Sequence, residues 1–272
     1  MPSLSSIPPR PTTVLFDLDD TLFDHTATSR AALRATTCEL PFFAKVDFEP
    51  FYQHYSDLLE ELHLRVLAGT CSYAEARRLR FKGLLARYQP TASHADAERL
   101  ADAYYVQYPQ QRQPVPGALA LLQALRPHYR IGIITNNRTA EQADKLRFLG
   151  MTNLVDALIT SEDVGVAKPD PRIFHAALQQ LDARPEETVL VGDNWGADVL
   201  GAQAVGIRPL WLNRMGTPRP LTEVAEITSL EPLAGVLAKI AGTPAGQASA
   251  SQVATPYQTI LRGFGPRSLR IS

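Results

Sequence analysis

The sequence predicts an α/β fold in which a mainly parallel sheet is flanked by helices and an all-helical segment is inserted after the first strand. Short apolar and β-branched runs recur, and most are continuous rather than alternating, which is typical of strands buried on both faces of a parallel sheet. Helical patterns follow these runs, and strand–helix alternation favours a doubly wound domain. Residues 24–115 break this alternation because no convincing strand occurs in them.

Five segments are predicted strands, and helices are predicted between them. Residues 141–150 form a predicted helix that ends at a glycine, and residues 169–181 form a second. The predicted strands are rich in β-branched and apolar residues and cover residues 13–18, 130–135, 157–161, 188–193 and 208–213.

The domain organisation follows from where this alternation stops. Within residues 24–115, three stretches have apolar residues at helical spacing, so we expect a block of helices. The core is then made of residues 13–23 and 116–240, while residues 1–12 form a proline-rich, disordered lead-in. Residues 241–272 begin with small polar residues, lack periodicity and are expected to form a disordered tail.

Composition excludes several classes of protein. The net charge of −1 provides no basic field for nucleic acid or for an anionic membrane. No apolar run approaches the roughly 20 residues of a membrane span, and the N-terminus lacks the apolar centre of a signal peptide. Two cysteines are too few for a disulfide framework and fit a reducing compartment. We therefore expect a cytoplasmic protein, monomeric or homodimeric, without a nucleic-acid or membrane partner.

The segment VLFDLDDTLFD places carboxylates directly behind an apolar strand. Asp17 and Asp19 are two residues apart, so both can face one site beyond the end of the strand, where open α/β sheets bind ligands. Two neighbouring carboxylates repel each other, and a divalent cation would relieve that repulsion. One carboxylate could then act as a nucleophile while the other transfers protons. Capping of the next helix is the alternative reading of this segment.

A second strand, IGIIT, ends in Thr135 and is followed by Asn136. A hydroxyl group and backbone N–H groups at a strand end can hold the oxygens of an anion. Taken alone, these two residues are better explained as caps of the next helix, and both roles can coexist.

Two further segments carry charge at the same expected edge of the sheet. Lys168 precedes a predicted helix, where a cation is unfavourable unless negative charge lies nearby. Asp193 ends a strand and Asp198 follows five residues later, so the pair could complete an oxygen-rich magnesium site. A solvated lysine and two helix-start residues are the alternatives.

Together these segments resemble the four motifs of the haloacid dehalogenase (HAD) superfamily. DLDDT resembles the first motif, TNN the second, Lys168 within VAKPD the third and GDNWGAD the fourth. The resemblance covers roughly residues 13–230 and implies a Rossmann-like core with an inserted helical cap. The sequence contains no P-loop and no dinucleotide-binding glycine fingerprint.

The resemblance also implies a role for each site residue. Asp17 would be the nucleophile that forms an aspartyl-phosphate, and Asp19 would protonate the leaving oxygen and then activate water. The implied cofactor is Mg²⁺, bound by Asp17, the backbone carbonyl of Asp19 and Asp193, with Asp198 supporting the metal site through water. Phosphate oxygens would be held by the Thr135 side chain, the Asn136 backbone and Lys168, which would also steady the nucleophile.

Asp19 separates the phosphatase branch of this superfamily from others. Dehalogenases and phosphonate-cleaving relatives lack an acid two residues after the nucleophile, whereas phosphomutases keep it. The implied function is therefore magnesium-dependent hydrolysis of a small phosphorylated metabolite. A phosphomutase and a non-catalytic protein that kept the fold remain alternatives.

Longer sequence segments around the motifs, such as SEDVGVAKPDPRIF, resemble those of the subgroup that holds pyrimidine 5′-nucleotidases and N-acylneuraminate-9-phosphatase. This favours a nucleoside monophosphate over a sugar phosphate, although TNN stands here where many members have Asn-Gly, and the tail has no counterpart. The entrance candidates are Phe23, His25, Arg30 and Arg34. The aromatic residues that could stack a base, or instead pack a helical core, are Phe42, Phe43, Phe51, Tyr52 and Tyr55.

Overall fold

The computed structural model describes residues 10–38, 40 and 43–242. Most of the predicted lead-in, the predicted tail from residue 243 onward and Phe42 lie outside these residues. Thr12 is described, and its N–H donates to the Glu187 carbonyl at 2.9 Å while its own carbonyl accepts from the Arg130 N–H. The chain is therefore already held against the sheet one residue before the first strand.

Six strands form one sheet in the order β3-β2-β1-β4-β5-β6, and every neighbouring pair is parallel. The five predicted strands are confirmed, but four of them end one or two residues early because their last residues belong to the following loop or helix. The sixth strand was not predicted, since three residues at a sheet edge carry too short a pattern. The strands are β1 (Thr13–Phe16), β2 (Arg130–Thr135), β3 (Ala157–Thr160), β4 (Thr188–Gly192), β5 (Arg208–Leu212) and β6 (Ala225–Ile227).

Apolar side chains cover both faces of the sheet. Val14 and Phe16 belong to one core cluster and Leu15 to another, because successive strand residues point to opposite faces. All four residues of β1 are buried. This burial explains why the strands are continuous apolar runs.

Between β1 and the helix that leads into β2, the described residues contain four α-helices, which we call the cap helices. They share a core rich in aromatic residues, in which Phe43 and Phe51 pack 5.0 Å apart between ring centroids. Within the described part of the chain, every helix is too short or too polar to traverse a lipid bilayer. The cap helices are α1 (His25–Thr37), α2 (Phe48–Leu67), α3 (Tyr73–Tyr88) and α4 (His94–Gln107).

The remaining helices flank the sheet. The predicted helix at 169–181 begins two residues later than expected because Asp170 is its N-cap and accepts a hydrogen bond from the Arg172 N–H, so Lys168 lies in the loop before it. These helices are α5 (Ala118–Leu125), α6 (Thr139–Phe148), α7 (Ser161–Val164), α8 (Pro171–Gln180), α9 (Gly201–Ala204) and α10 (Leu233–Ala241).

Candidate active site

The carboxyl ends of β1 and β4 meet at the point where the strand order reverses. From β1 the chain adds β2 and β3 on one side, then returns to place β4 on the other side of β1. Ligands of open α/β sheets bind in the crevice outside such a reversal. Asp17 follows β1 and Asp193 follows β4, so the fold brings the first and fourth motifs together.

Lys168 joins Asp17 to Asp198 in the floor of the site. Its Nζ lies 2.6 Å from Asp17 Oδ1, 2.7 Å from Asp198 Oδ1 and 2.7 Å from the Ile134 carbonyl oxygen. These contacts use all three N–H donors of the ammonium group. The lysine that sequence reasoning placed at a helix start is thus buried and paired with carboxylates.

Three carboxylates form a cluster that could hold a metal ion. Oxygen atoms of Asp17, Asp193 and Asp198 all lie within 4.8 Å of one another. Burial raises the pKa of Asp17 to about 7, against the opposing charge of Lys168, and burial together with Asp17 raises that of Asp193. Three carboxylates around one ammonium leave a deficit of two positive charges, which fits a divalent cation with oxygen ligands such as Mg²⁺.

The turn after β4 brings Asp198 into this cluster. Asn194 begins a π-helical turn, Trp195–Leu200, and its backbone N–H donates to Asp198 Oδ2 at 3.0 Å. The carboxylate packs directly on Gly192, where a Cβ atom would lie 2.4 Å from Asp198. A side chain at position 192 would therefore displace the carboxylate.

Asp19 occupies a different environment from Asp17. Its Oδ1 accepts from Lys145 Nζ at 2.5 Å and its Oδ2 from Gln142 Nε2 at 3.0 Å. Burial opposes ionisation, but the Lys145 charge prevails and holds the pKa of Asp19 well below its usual range. Sequence reasoning missed Lys145 and Gln142, although their three-residue spacing on α6, directly after the second motif, puts both on one helix face.

Thr135 and Asn136 lie beside these groups. Gln142 Nε2 donates to Thr135 Oγ1 at 2.6 Å, which leaves the hydroxyl hydrogen of Thr135 available for another acceptor. The Asn136 side chain contacts the backbone of Lys168 twice, through its Nδ2 at 2.9 Å and its Oδ1 at 2.7 Å. It thereby ties the end of β2 to the loop that carries the lysine.

The loop after Asp19 is held in a tight turn. Asp20 has a φ of +61°, and its carboxylate accepts from the backbone N–H and the hydroxyl of Thr26 at 2.8 and 2.9 Å. Arg214, after β5, donates to Asp24 at 2.5 Å and to the Asp20 carbonyl at 3.3 Å. The start of α1 is thus fixed relative to the carboxylates.

A cavity of about 1120 Å³ lies between these groups and the cap helices. Tyrosines form much of its cap side, and His25 donates to or accepts from the Tyr108 hydroxyl at 2.8 Å. Of the other entrance candidates, Phe23 is buried, while Arg30 pairs with Glu49 and Arg34 lies over the Phe48 ring. Of the four described aromatic candidates, Tyr52 and Tyr55 line the cavity.

Two ion pairs connect the cap side of the cavity to α6. Arg77 of α3 pairs with Glu141, and Arg112, which follows α4, pairs with Asp144 at 2.6 Å. Both acids belong to the helix that also carries Gln142 and Lys145. The cap helices and the carboxylate loop are therefore anchored to the same helix.

Comparisons with known proteins agree with this arrangement. The model of the haloacid dehalogenase-like hydrolases matches residues 11–206. The ribulose-1,5-bisphosphate 5-phosphatase of Halopiger xanaduensis is 38% identical over 199 residues, which cover 72% of this chain and 82% of the relative. The pyrimidine 5′-nucleotidase YjjG of Escherichia coli is 31% identical over 229 residues, covering 83% and 97%. The magnesium-bound structure of HAD-hydrolase YfnB from Bacillus subtilis superposes with a TM-score of 0.71 at 27% identity, covering 84% and 99%.

Proposed function

The chain belongs to the haloacid dehalogenase-like hydrolases, and from that premise we propose that it is a magnesium-dependent phosphatase that cleaves a small phosphomonoester through an aspartyl-phosphate intermediate. The observation that carries this proposal is the contrast between Asp17 and Asp19. Asp17 lies in the carboxylate cluster with Lys168, whereas Asp19 is held apart by Lys145 and Gln142. Two carboxylates in different environments can take two roles in one reaction.

Asp17 is the proposed nucleophile. A carboxylate oxygen of Asp17 attacks phosphorus, the ester bond to the leaving oxygen breaks, and Asp19 supplies the proton that this oxygen needs. A bound phosphate puts like charge beside Asp19, which favours the protonated acid. Asp19 then takes a proton from water, whose oxygen attacks phosphorus, and the release of phosphate restores the Asp17 carboxylate.

The remaining site residues hold the reactants. Asp17, Asp193, Asp198 and the Asp19 backbone carbonyl are the proposed ligands of Mg²⁺, which would supply positive charge for the cluster and the transferring phosphoryl group. We assign the phosphate oxygens to the Thr135 hydroxyl and the Asn136 backbone. Since every N–H of Lys168 has an acceptor, its part is to orient Asp17 and to contribute charge.

The proposed substrate is a small phosphorylated metabolite, because the site opens into a cavity beneath the cap helices rather than onto a flat surface. Two relatives are named for a sugar bisphosphate and for pyrimidine nucleotides. A nucleoside 5′-monophosphate and a sugar phosphate are therefore both candidates. A phosphomutase would use the same carboxylates and is distinguished by the accumulation of an isomer instead of free phosphate.

Phosphate release tests this proposal. A panel of nucleoside monophosphates, sugar phosphates and phosphorylated carboxylic acids is incubated with the protein in Mg²⁺ and in EDTA. We expect release from at least one compound, loss of release in EDTA and recovery when Mg²⁺ is restored. Unchanged phosphate release in EDTA would contradict the proposed metal site. The absence of phosphate release from every compound in the panel would contradict the proposed phosphatase activity.

A further inference from the structure

One arginine in the cavity differs from the other cationic residues there. Among the arginine and lysine side chains that line the cavity, all but Arg80 have a carboxylate partner within 4 Å. Arg80 forms no ion pair with any residue that the structure describes. The paired residues are Arg77, Arg112, Lys145 and Lys168.

The surroundings of Arg80 leave hydrogen-bonding capacity unused. Its Nη1 donates to the Tyr55 hydroxyl at 3.0 Å, and its guanidinium carbon lies 5.3 Å from the centroid of that ring. Its Nε is buried without an acceptor among the described residues. A buried donor without a partner is costly, and a guanidinium carries five N–H groups arranged to hold an oxyanion.

Arg80 is connected to the reaction centre by a row of aromatic rings. Ring centroids of Tyr55 and Tyr104 are 5.5 Å apart, those of Tyr104 and Tyr108 are 5.8 Å apart, and Tyr108 contacts His25. Burial lowers the pKa of His25, and the positive charges of Lys145 and Arg80 act in the same direction. Arg80 lines the same cavity as Asp17 and Asp19.

We propose that Arg80, together with the Tyr55 hydroxyl, binds a second anionic group of the substrate, a carboxylate or a further phosphate, on the cap side of the cavity. This inference rests on the proposed phosphatase function and narrows its substrate class. A neutral sugar or base would leave the guanidinium charge without a counterion. An oxyanion would supply both the charge and the acceptor for Nε.

Matched substrates test this subsite. Phosphoglycerate is compared with glycerol phosphate, which lacks the carboxylate, and a sugar bisphosphate with the corresponding monophosphate. We expect the wild-type protein to prefer the compound with the second anionic group in at least one pair, and the pair that responds shows whether that group is a carboxylate or a phosphate. In Arg80→Met the preference, as a ratio of kcat/KM values, should fall roughly tenfold to a hundredfold. Arg80→Lys should retain part of it.

Arg78 supplies the control, because it is exposed on the same helix and does not line the cavity. Arg78→Met should keep the wild-type preference, and thermal unfolding should show that both arginine variants are folded. A wild-type protein that does not prefer the compound with the second anionic group in either pair would overturn the inference. Equal loss on both members of a pair in Arg80→Met would overturn it as well.

A binding measurement separates this inference from the proposed function. Calorimetry with Asp17→Asn in Mg²⁺ measures the affinity for the same four compounds without turnover. Tighter binding of a compound with the second anionic group, lost in Asp17→Asn/Arg80→Met, supports the subsite even if the wild-type protein releases no phosphate. Phosphate release without any Arg80-dependent preference in binding would reject the subsite and leave the phosphatase intact.

Discussion

At the scale of single residues, the site contrasts two carboxylates that are close in sequence. Asp17 lies among acids that share one ammonium, whereas Asp19 has Lys145 to itself. Their pKa values consequently move apart, with Asp17 raised by burial to about 7 and Asp19 lowered by Lys145 despite burial. A difference in pKa between two neighbouring carboxyl groups suits a reaction that needs a nucleophile and an acid–base group side by side.

Lys145 is the positioning residue that this contrast depends on. Lys145→Met keeps the length of the side chain but removes the ammonium that holds Asp19, so we expect kcat to fall roughly tenfold or more while KM changes less. Steady-state kinetics measure kcat and KM for Lys145→Met. Lys82→Met is the exposed control and Lys145→Arg is the conservative variant. A wild-type kcat in Lys145→Met would show that Asp19 needs no ionic partner.

The pKa of Asp17 predicts a pH dependence of stability in the metal-free protein. Its folded-state pKa is raised from 3.8 to about 7, so the folded chain binds this proton more tightly than the unfolded chain does. That contribution is complete at low pH and is lost as pH rises through about 7. In EDTA, the melting temperature should therefore decline from about pH 5 to about pH 8.

Magnesium should reverse that decline, because it pairs with the ionised cluster. The rise in melting temperature on adding Mg²⁺ should be larger at about pH 8 than at about pH 5, because a carboxyl ligand must lose its proton before it binds the metal. These two pH values lie on either side of the transition. Asp17→Asn is the control, and its melting temperature in EDTA should depend less on pH. Equal stabilisation at both pH values would contradict the assignment of Asp17 as a ligand.

At the scale of elements, the sequence was informative wherever a strand pattern ended in a polar residue. The runs that end before Asp17, Asn136 and Asp193 predicted which groups meet, because parallel strands share their carboxyl edge. The predicted strands at 13–18 and 188–193 overran the true strand ends, whereas the one at 130–135 matches β2, since an apolar run does not by itself mark where pairing stops. The partners on α6 were missed, because the spacing of Gln142 and Lys145 puts both on one helix face but does not show that this face meets Asp19.

The turn after β4 makes a steric prediction. A Cβ at Gly192 would lie 2.4 Å from the Asp198 side chain, whereas at Gly196 the nearest neighbour is at 3.6 Å. Gly192→Ala should therefore push Asp198 out of the cluster and weaken Mg²⁺ binding by roughly tenfold or more, as removing support from a metal ligand does. Calorimetric titration with Mg²⁺ measures this, with Gly196→Ala as the control that should bind nearly as wild type. Equal affinities would contradict the placement of Asp198.

At the scale of the whole molecule, the sequence predicted a parallel sheet and a helical insertion, and both are present. It did not predict the pairing of Arg77 with Glu141 or of Arg112 with Asp144. Such contacts depend on how the cap helices lie against α6, and helical periodicity does not encode that orientation. The position of Arg80 in the cavity could not be predicted for the same reason, because its sequence neighbours give no sign that it faces the cavity.

In the proposed reaction, Asp17 carries the phosphoryl group between substrate and water. A rapid acid quench during turnover of the best substrate in Mg²⁺, followed by peptide mass spectrometry, tests it directly. We predict one phosphoryl group on the peptide that contains Asp17 in the wild-type protein, and neither label nor phosphate release in a folded Asp17→Asn variant. Wild-type-like turnover by Asp17→Asn, or a phosphoryl group on another residue, would contradict the account.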